Sequence, residues 1–390
     1  MVKTVSILGA TGSVGSSTLD LVEREPERFQ VLALTANCDV DKLAAAAIRT
    51  NARIAVVADE SCLPGLRDAL AGTGIATAGG YRALLDAAAM GADWTMAAIV
   101  GCAGLEPVMA AIAQGGTVVL ANKEPLVSAG EVILAAAAAS GATLLPADSE
   151  HNAIFQCFDP ARPERVRRII LTGSGGPFRD RSLAEMRDVT PEQAVAHPNW
   201  SMGAKISIDS ATMMNKGLEL IEAARLFPVP TSRIEIVIHR QSVIHSLVDY
   251  VDGSVLAQLG VTDMRVPIQY ALSHPERWDS PVASLDFART PALEFEAPDT
   301  ERFPCLRLAY GALAKGGTFP AVLNAANEVA VQAFLEGRAA FPSISDCVGD
   351  VLAAFSGGPA GSLDDVLEAD RWSRQRATEV LGRTAARAAS

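Results

Sequence analysis

Val5-Ser-Ile-Leu8-Gly9-Ala-Thr-Gly12-Ser-Val-Gly15 is the stretch whose reading decides the fold. A short apolar strand, 5–8, runs into three glycines at three-residue spacing and then into a helical stretch reaching Val22. A turn this tight needs residues without a Cβ, so that backbone N–H groups at a helix N-terminus can approach a pyrophosphate. Strand before and helix after are the context such a loop requires. The spacing differs from Gly-x-Gly-x-x-Gly, and taken alone it signifies only a dinucleotide.

The pattern then alternates. A strand is expected at 31–34, a helix at 43–49, a strand at 54–57, a helix at 81–90 and a strand at 94–100. Further strands are expected at 118–120 and 143–145, with a helix at 131–139 between them. Strand–helix alternation of this kind builds a mostly parallel, doubly wound, Rossmann-like sheet with helices on both faces. We place this first domain at 1–147. The middle region changes character. A Gly-rich strand exit at 171–177 precedes a polar loop holding Pro191 and Pro198, a helix at 210–226, and strands at 234–239, 243–250 and 254–259. This predicts an α+β domain over 148–275 with a lid loop near 190–205. A proline-bearing linker follows at 276–300, then a C-terminal helical bundle at 301–390. The fold class is therefore α/β in the first domain, α+β in the second and helical in the third.

The net charge of −12 gives a nucleic-acid partner no support, and an anionic membrane surface would repel the chain. No apolar run is long enough to span a bilayer. Six scattered cysteines, with no zinc-like spacing, suit a reducing compartment, and the cytoplasm is the expected location.

Several constellations carry chemistry. Asp148-Ser149-Glu150 follows a strand, and if the extended backbone continues, both acids point to one side. Oxygen donors of this type suit Mg²⁺ or Mn²⁺. The competing reading is helix capping, which stands ahead when the segment is taken alone. Asn215, Lys216 and Glu219 share one helical face, with Ser210 expected near that helix's start. Such a face suits a polyhydroxylated, phosphorylated ligand around a cation, or a plain solvated salt bridge. Glu222 continues the face, but Glu219 is the preferred metal ligand. Ser174, in Gly173-Ser174-Gly175-Gly176, offers an anion nest or an ordinary turn. His197 and Trp200 lie in a loop of the type that excludes water, although single residues of these kinds are more often packing residues. Asn122-Lys123-Glu124 follows a strand where amide, ammonium and carboxylate can reach a nicotinamide and a substrate. Cys102 has no His nearby in sequence and reads as an inert thiol. At the end of the second strand, Asn37-Cys38-Asp39 holds an acid and no arginine, with Lys42 the first cation, so the residues leave the choice between NAD and NADP open.

The order of these blocks is more telling than any one of them. GATGSVGSSTLD (9–20), ANKE (121–124), PADSEHNAIFQ (146–156) and LTGSGGPFR (171–179) are followed by HPNWSMGAKISIDSATMMNKGLE (197–219), QSVIHSLV (241–248), DGSVLAQLG (252–260) and LNAANEVAV (323–331). Together they resemble the 1-deoxy-D-xylulose 5-phosphate reductoisomerase family over nearly the whole chain. The resemblance implies a homodimeric enzyme that uses NADPH and a divalent cation (Mg²⁺ or Mn²⁺, with Co²⁺ as a further option). Its substrate is a small phosphorylated sugar, converted to 2-C-methyl-D-erythritol 4-phosphate in the non-mevalonate route to isoprenoids. It implies Asp148, Glu150 and Glu219 as metal ligands. Lys123, Ser149, Glu150, Ser174, His197, Trp200, Ser210, Asn215, Lys216 and Glu219 would meet the substrate. Lys123, Asp148, Glu150, His197 and Glu219 would form the catalytic set. Thr11, Gly12, Ser13, Val14, Asn37, Cys38, Asp39, Asn122, Glu124 and Gly203 would line the cofactor site. This chain departs from the family pattern at Cys38-Asp39, where a basic or small polar residue followed by Asn is common, and at Pro125, where the family has Ser. Two alternatives remain at this stage: a semialdehyde dehydrogenase or acyl-phosphate reductase built on Cys102, and a non-catalytic dinucleotide sensor.

Overall fold

The computed structural model describes residues 2–200, 202–290 and 292–389, with side chains as far as residue 383. Its contacts divide the chain into two compact units.

The first unit comprises Met1–Pro125, Ile133–Asn152 and Asp263–Ala283. Seven strands form its sheet: β1 Lys3–Leu8, β2 Phe29–Ala36, β3 Ile54–Val57, β4 Ala76–Gly79, β5 Trp94–Ala97, β6 Thr117–Leu120 and β7 Thr143–Pro146. They are all parallel, in the order β4-β3-β2-β1-β5-β6-β7. Helices cover both faces of such a sheet, so its strands read as unbroken apolar runs, as Ile-Ala-Val-Val and Thr-Val-Val-Leu do here. The strand order reverses direction at β1/β5, the switch point where α/β sheets bind ligands at their carboxyl ends. The strand β4 and the helix Leu105–Ile112 had no sequence expectation; both are short, at four and eight residues.

The chain re-enters this unit late, which local pattern did not foreshadow. Helix Arg265–Ser273 packs on helix Ser13–Arg24. Its Arg265 bridges Asp263 at 2.7 Å and Asp20 at 3.0 Å. Trp94 Nε1 donates to the Ala271 carbonyl at 3.0 Å, and Lys3 Nζ donates to that of Leu272 at 3.0 Å.

The second unit comprises Leu126–Val132, Ala153–Thr262 and Ser284–Ser390. Its sheet, in the order β11-β10-β8-β9, contains β8 Val166–Gly173, β9 Ile234–Ile238, β10 Ile244–Tyr250 and β11 Val255–Leu259. The pair β8/β9 is parallel; β10 runs antiparallel to β8 and β11. One apolar core runs from this sheet through helix Met214–Leu226 into the helices Pro304–Lys315, Phe319–Leu335, Pro342–Ala354 and Leu363–Ala389. The C-terminal helices therefore share the α+β layer's core, and segment 284–300 belongs to the same unit.

Of the two readings of Asp148-Ser149-Glu150, capping is the one the backbone adopts: it turns helical at once after Asp148, in helix Ser149–Cys157, and the Asp148 carboxylate accepts the Glu150 N–H at 3.2 Å. One local expectation needs correction. The single helix expected at 210–226 is two, Ala204–Ala211 and Met214–Leu226, broken at Met213, whose φ is +62°. Ser210 therefore lies near the end of the first helix and not at the start of the second.

Candidate active site

In the first unit the glycine loop is pinned to the neighbouring strand. Thr35, near the end of β2, accepts the Gly9 N–H through Oγ1 at 3.0 Å and the Ala10 N–H through its carbonyl at 2.7 Å. A Cβ on Gly15 would lie 2.2 Å from the Gly9 carbonyl oxygen, so helix Ser13–Arg24 can start against the strand only with glycine there. Gly12 and Ser13 are exposed at the helix's first turn, with Thr11 and Val14 half-buried. At the end of β2, Asn37 and Cys38 are exposed. Asp39 caps helix Val40–Thr50, accepting the Lys42 N–H at 3.2 Å, and its carboxylate lies 2.9 Å from Lys42 Nζ. The hydrogen bond from Lys42 holds the Asp39 carboxyl below the ordinary range.

Beyond β6, Asn122 spans to the loop after β5. Its Nδ2 donates to the carbonyls of Ile99 and, at 2.8 Å, Gly101, and its Oδ1 accepts the Glu124 N–H at 3.3 Å. Lys123, 5% exposed, reaches to the end of the adjacent β7 and pairs with Asp148 at 2.7 Å. The second Asp148 oxygen lies 3.1 Å from Nδ1 of the fully buried His151. Ser149 Oγ donates to the Glu150 carboxylate. Neither His151 nor the Asn152 bracket to the carbonyls of Pro146 (2.9 Å) and Pro267 (3.3 Å) was foreseen from sequence. The PADSEHN block could have signalled both, since His151 and Asn152 follow Asp148 at helical reach.

The second unit assembles its groups at the exit of β8. Ser174 Oγ lies 2.9 Å from His197 Nε2. His197 Nδ1 accepts backbone N–H groups from Asn199 (3.2 Å) and Trp200 (3.0 Å), so the proton of the neutral ring resides on Nε2, directed at Ser174. The Trp200 ring lies 6.0 Å from that of His245, and Gly203 is exposed at the start of helix Ala204–Ala211. On helix Met214–Leu226, Asn215 Nδ2 and Lys216 Nζ donate to different oxygens of Glu219, which is 1% exposed. The Lys216 stem crosses Gly173, where an added Cβ would approach it at 3.1 Å. Asp209 was passed over in the sequence; it is buried between Lys205 at 2.8 Å and Asn327 at 2.7 Å, and fixes the helix that carries Ser210.

Gly176 has φ +71°, and a Cβ on it would meet the Ser210 carbonyl oxygen at 2.5 Å. Gly176→Ala should therefore push the Ser174 loop away from Ser210, with strain on the order of 1–3 kcal/mol. We expect the KM for a phosphorylated substrate to rise about tenfold with the KM for the dinucleotide unchanged, since displaced positioning groups act on the ligand they hold. Steady-state kinetics with each substrate varied separately would check this.

Three sequence profiles match. A 1-deoxy-D-xylulose 5-phosphate reductoisomerase profile covers residues 5–130, and the family's two C-terminal domain profiles cover 144–227 and 259–376. A 1-deoxy-D-xylulose 5-phosphate reductoisomerase of Zymomonas mobilis subsp. mobilis is 58% identical over 97% of this chain and 98% of its own length. That of Ralstonia nicotianae is 57% identical, again over 97% of this chain and 98% of its own. Among solved structures, the Zymomonas mobilis enzyme in complex with NADPH superposes with a TM-score of 0.93 at 56% identity, covering 98% of this chain and 99% of that one. A DOX-P reductoisomerase in complex with NADPH, fosmidomycin and magnesium gives 0.92 at 42% identity, covering 98% of both chains.

A parallel sheet with a dinucleotide loop at its switch point and the buried Lys123–Asp148 pair, together with a second unit built on a Gly-rich strand exit and the buried Lys216–Glu219 pair, defines an oxidoreductase of the Rossmann-like α/β class. The chain belongs to the 1-deoxy-D-xylulose 5-phosphate reductoisomerase family.

Proposed function

We propose that this chain performs the reaction of its family with the residues just placed. It isomerises and reduces 1-deoxy-D-xylulose 5-phosphate to 2-C-methyl-D-erythritol 4-phosphate, using NADPH and a divalent cation. A relative of 58% identity carries that name over 97% of this chain, and solved relatives hold NADPH and magnesium. The observation that carries the residue assignment is the pairing of buried charges, Lys123 with Asp148 and Lys216 with Glu219. Buried pairs of this kind add little net stability, so their presence points to a ligand that uses them.

The metal is assigned to Asp148, Glu150 and Glu219, the acids that the family resemblance implies as its ligands. An all-carboxylate oxygen set fits Mg²⁺ or Mn²⁺, and Co²⁺ less specifically. When bound, the cation supplies Lewis-acid polarisation of the substrate's ketone and neighbouring hydroxyl. The chain's own groups do the rest. Ser174, Ser210 and Asn215 take the phosphate, with His197 held by Asn199 and Trp200 so that its Nε2–H faces that end. Ser149, Glu150, Lys216 and Glu219 orient the sugar's oxygens. Lys123 lies between substrate and nicotinamide, and Trp200 closes over them to exclude water. Thr11, Gly12, Ser13, Val14, Asn122, Glu124 and Gly203 receive the dinucleotide, with Asn37, Cys38 and Asp39 near its 2′-phosphate.

Functionally this divides the chain into a cofactor domain (1–147), a catalytic domain (148–275, lid 190–205), a linker (276–300) and a helical domain (301–390). The active form is a cytoplasmic homodimer. No helix of the described residues is long and apolar enough to cross a membrane. Family membership sets aside the dehydrogenase reading, in which Cys102 would be the nucleophile.

The decisive assay follows NADPH absorbance with 1-deoxy-D-xylulose 5-phosphate, before and after EDTA and again after Mg²⁺ is restored. Turnover should stop and return. Consumption that ignores EDTA would overturn the metal assignment, and none under any condition would overturn the activity. Repeating it with NADH measures cofactor choice. Asp39→Asn keeps the helix cap but removes an anion from the 2′-phosphate region. The ratio of kcat/KM for NADPH over NADH should then rise about three- to tenfold, the range of a partly screened like-charge contact. An unchanged ratio would place Asp39 outside the cofactor's reach.

A further inference from the structure

A cavity of about 280 Å³ lies behind the Ser174 loop, lined in part by Arg179, Arg240, Arg302, Asp180, Glu296 and Asp299. Three guanidiniums suggest an anion trap, but three carboxylates balance them. Arg240 Nε pairs with Glu296 at 2.6 Å, and its other arms reach Asp180 at 2.9 Å. Arg302 Nε is taken by Asp299 at 2.8 Å, while its Nη1 donates to the carbonyls of Arg179 (2.9 Å) and Arg181 (2.8 Å). The cluster behaves as a truss.

Its members end on the substrate-binding segments. Arg179 Nη1 donates to the Ser174 carbonyl at 3.1 Å. The Arg240 carbonyl accepts Asn199 Nδ2 at 2.7 Å, and the Asn199 N–H is one of the two that hold His197. Segment 294–296 is locked in turn to the end of β9 by paired backbone bonds between Ile238 and Glu296, at 2.8 and 2.9 Å. Phe295 stacks on His239, and the His239 N–H donates to the Gly173 carbonyl at 2.7 Å. Three stretches distant in sequence, 179–181, 240 and 294–302, thus meet behind Ser174 and the foot of the closing loop.

We infer that Arg240, clamped between Glu296 and Asp180, is a positioning residue that sets the Ser174 loop and His197 in the geometry that receives the substrate's phosphate. This rests on the assignment of Ser174 and His197 to that phosphate. Ion pairs this exposed contribute little to folding, yet a planar fork engaging two carboxylates fixes orientation in a way an ammonium cannot. First-contact groups need such outer support to keep their geometry.

The test uses the full chain with NADPH and Mg²⁺, comparing Arg240→Met, Arg240→Lys, the milder Glu296→Gln, and Ser174→Ala as reference. Arg240→Met should raise the KM for 1-deoxy-D-xylulose 5-phosphate and the Ki of inorganic phosphate together, by about tenfold, because small misplacements of binding groups are costly. The KM for NADPH should be unchanged and Tm should move by no more than about 3 °C. Glu296→Gln should shift the same two constants less, and Arg240→Lys should recover only part of the loss. If Ser174→Ala raises both constants while the Arg240 and Glu296 variants leave them at wild-type values, the truss inference fails and the site reading stands. If Ser174→Ala also changes nothing, the phosphate assignment falls and takes the inference with it. A general loss of kcat with a large fall in Tm would reduce Arg240 to a structural residue.

Discussion

Glu219→Gln should lower metal-dependent turnover by on the order of a thousandfold or more, because one charged ligand contributes several kcal/mol to holding and using the cation. The substitution keeps the side chain's size and one of its two acceptor oxygens, so one of the bonds from Asn215 and Lys216 is kept, the other is lost, and the helix should remain packed. What it removes is the negative charge, and the Lys216 ammonium then repels an incoming cation that Glu219 no longer attracts. NADPH binding, followed by the cofactor's fluorescence, should persist because the dinucleotide loop belongs to the other unit. Glu222, one turn further on the same helix and fully buried, is the natural control. Its Gln variant should keep the Mg²⁺ requirement of the parent. Turnover by Glu219→Gln at saturating Mg²⁺ would remove Glu219 from the ligand set.

The sequence made these residues visible to different depths. The parallel sheet was legible because strands buried on both faces must be apolar throughout, and glycines at strand exits punctuate them; β3 was expected at 54–57 and occurs there. Strand β4, Ala-Thr-Ala-Gly, carries no such run and was missed. The acids at 148 and 150 were found as a pair, and the capping reading that stood ahead for the segment alone is the one adopted, because an aspartate before a helix folds back to accept an N–H two residues on. The break at Met213 was illegible. A non-glycine residue at positive φ is held there by its surroundings and not by its own preference. It is this break that puts Ser210 on one helix and Asn215 on another, although five positions separate them. The Arg240 truss was beyond reach altogether, since its partners lie 56 and 60 positions away with no periodicity to connect them.

Lys123→Met should lower kcat by about 10²–10³-fold, the loss typical of removing one charged or hydrogen-bonding group aimed at a reacting centre. Its sign on metal binding should oppose that of Glu219→Gln. Lys123 Nζ now occupies one oxygen of Asp148 at 2.7 Å, so the ammonium competes with a cation for that carboxylate. Methionine retains the unbranched stem in the buried site and removes the competitor, so the Mg²⁺ concentration at half-maximal rate should stay level or fall while kcat drops. The fold should tolerate this, because Asp148 remains tied to His151 at 3.1 Å and to the Glu150 N–H at 3.2 Å. Arginine should not substitute, since its rigid fork needs more room than a point charge in a space where Lys123 is 5% exposed. A Mg²⁺ titration of kcat separates the cases. If kcat stays near the parent value, Lys123 is only Asp148's counter-ion. If Mg²⁺ affinity weakens instead, the ammonium supports the metal site by holding Asp148 in place, and its role between substrate and nicotinamide must be given up.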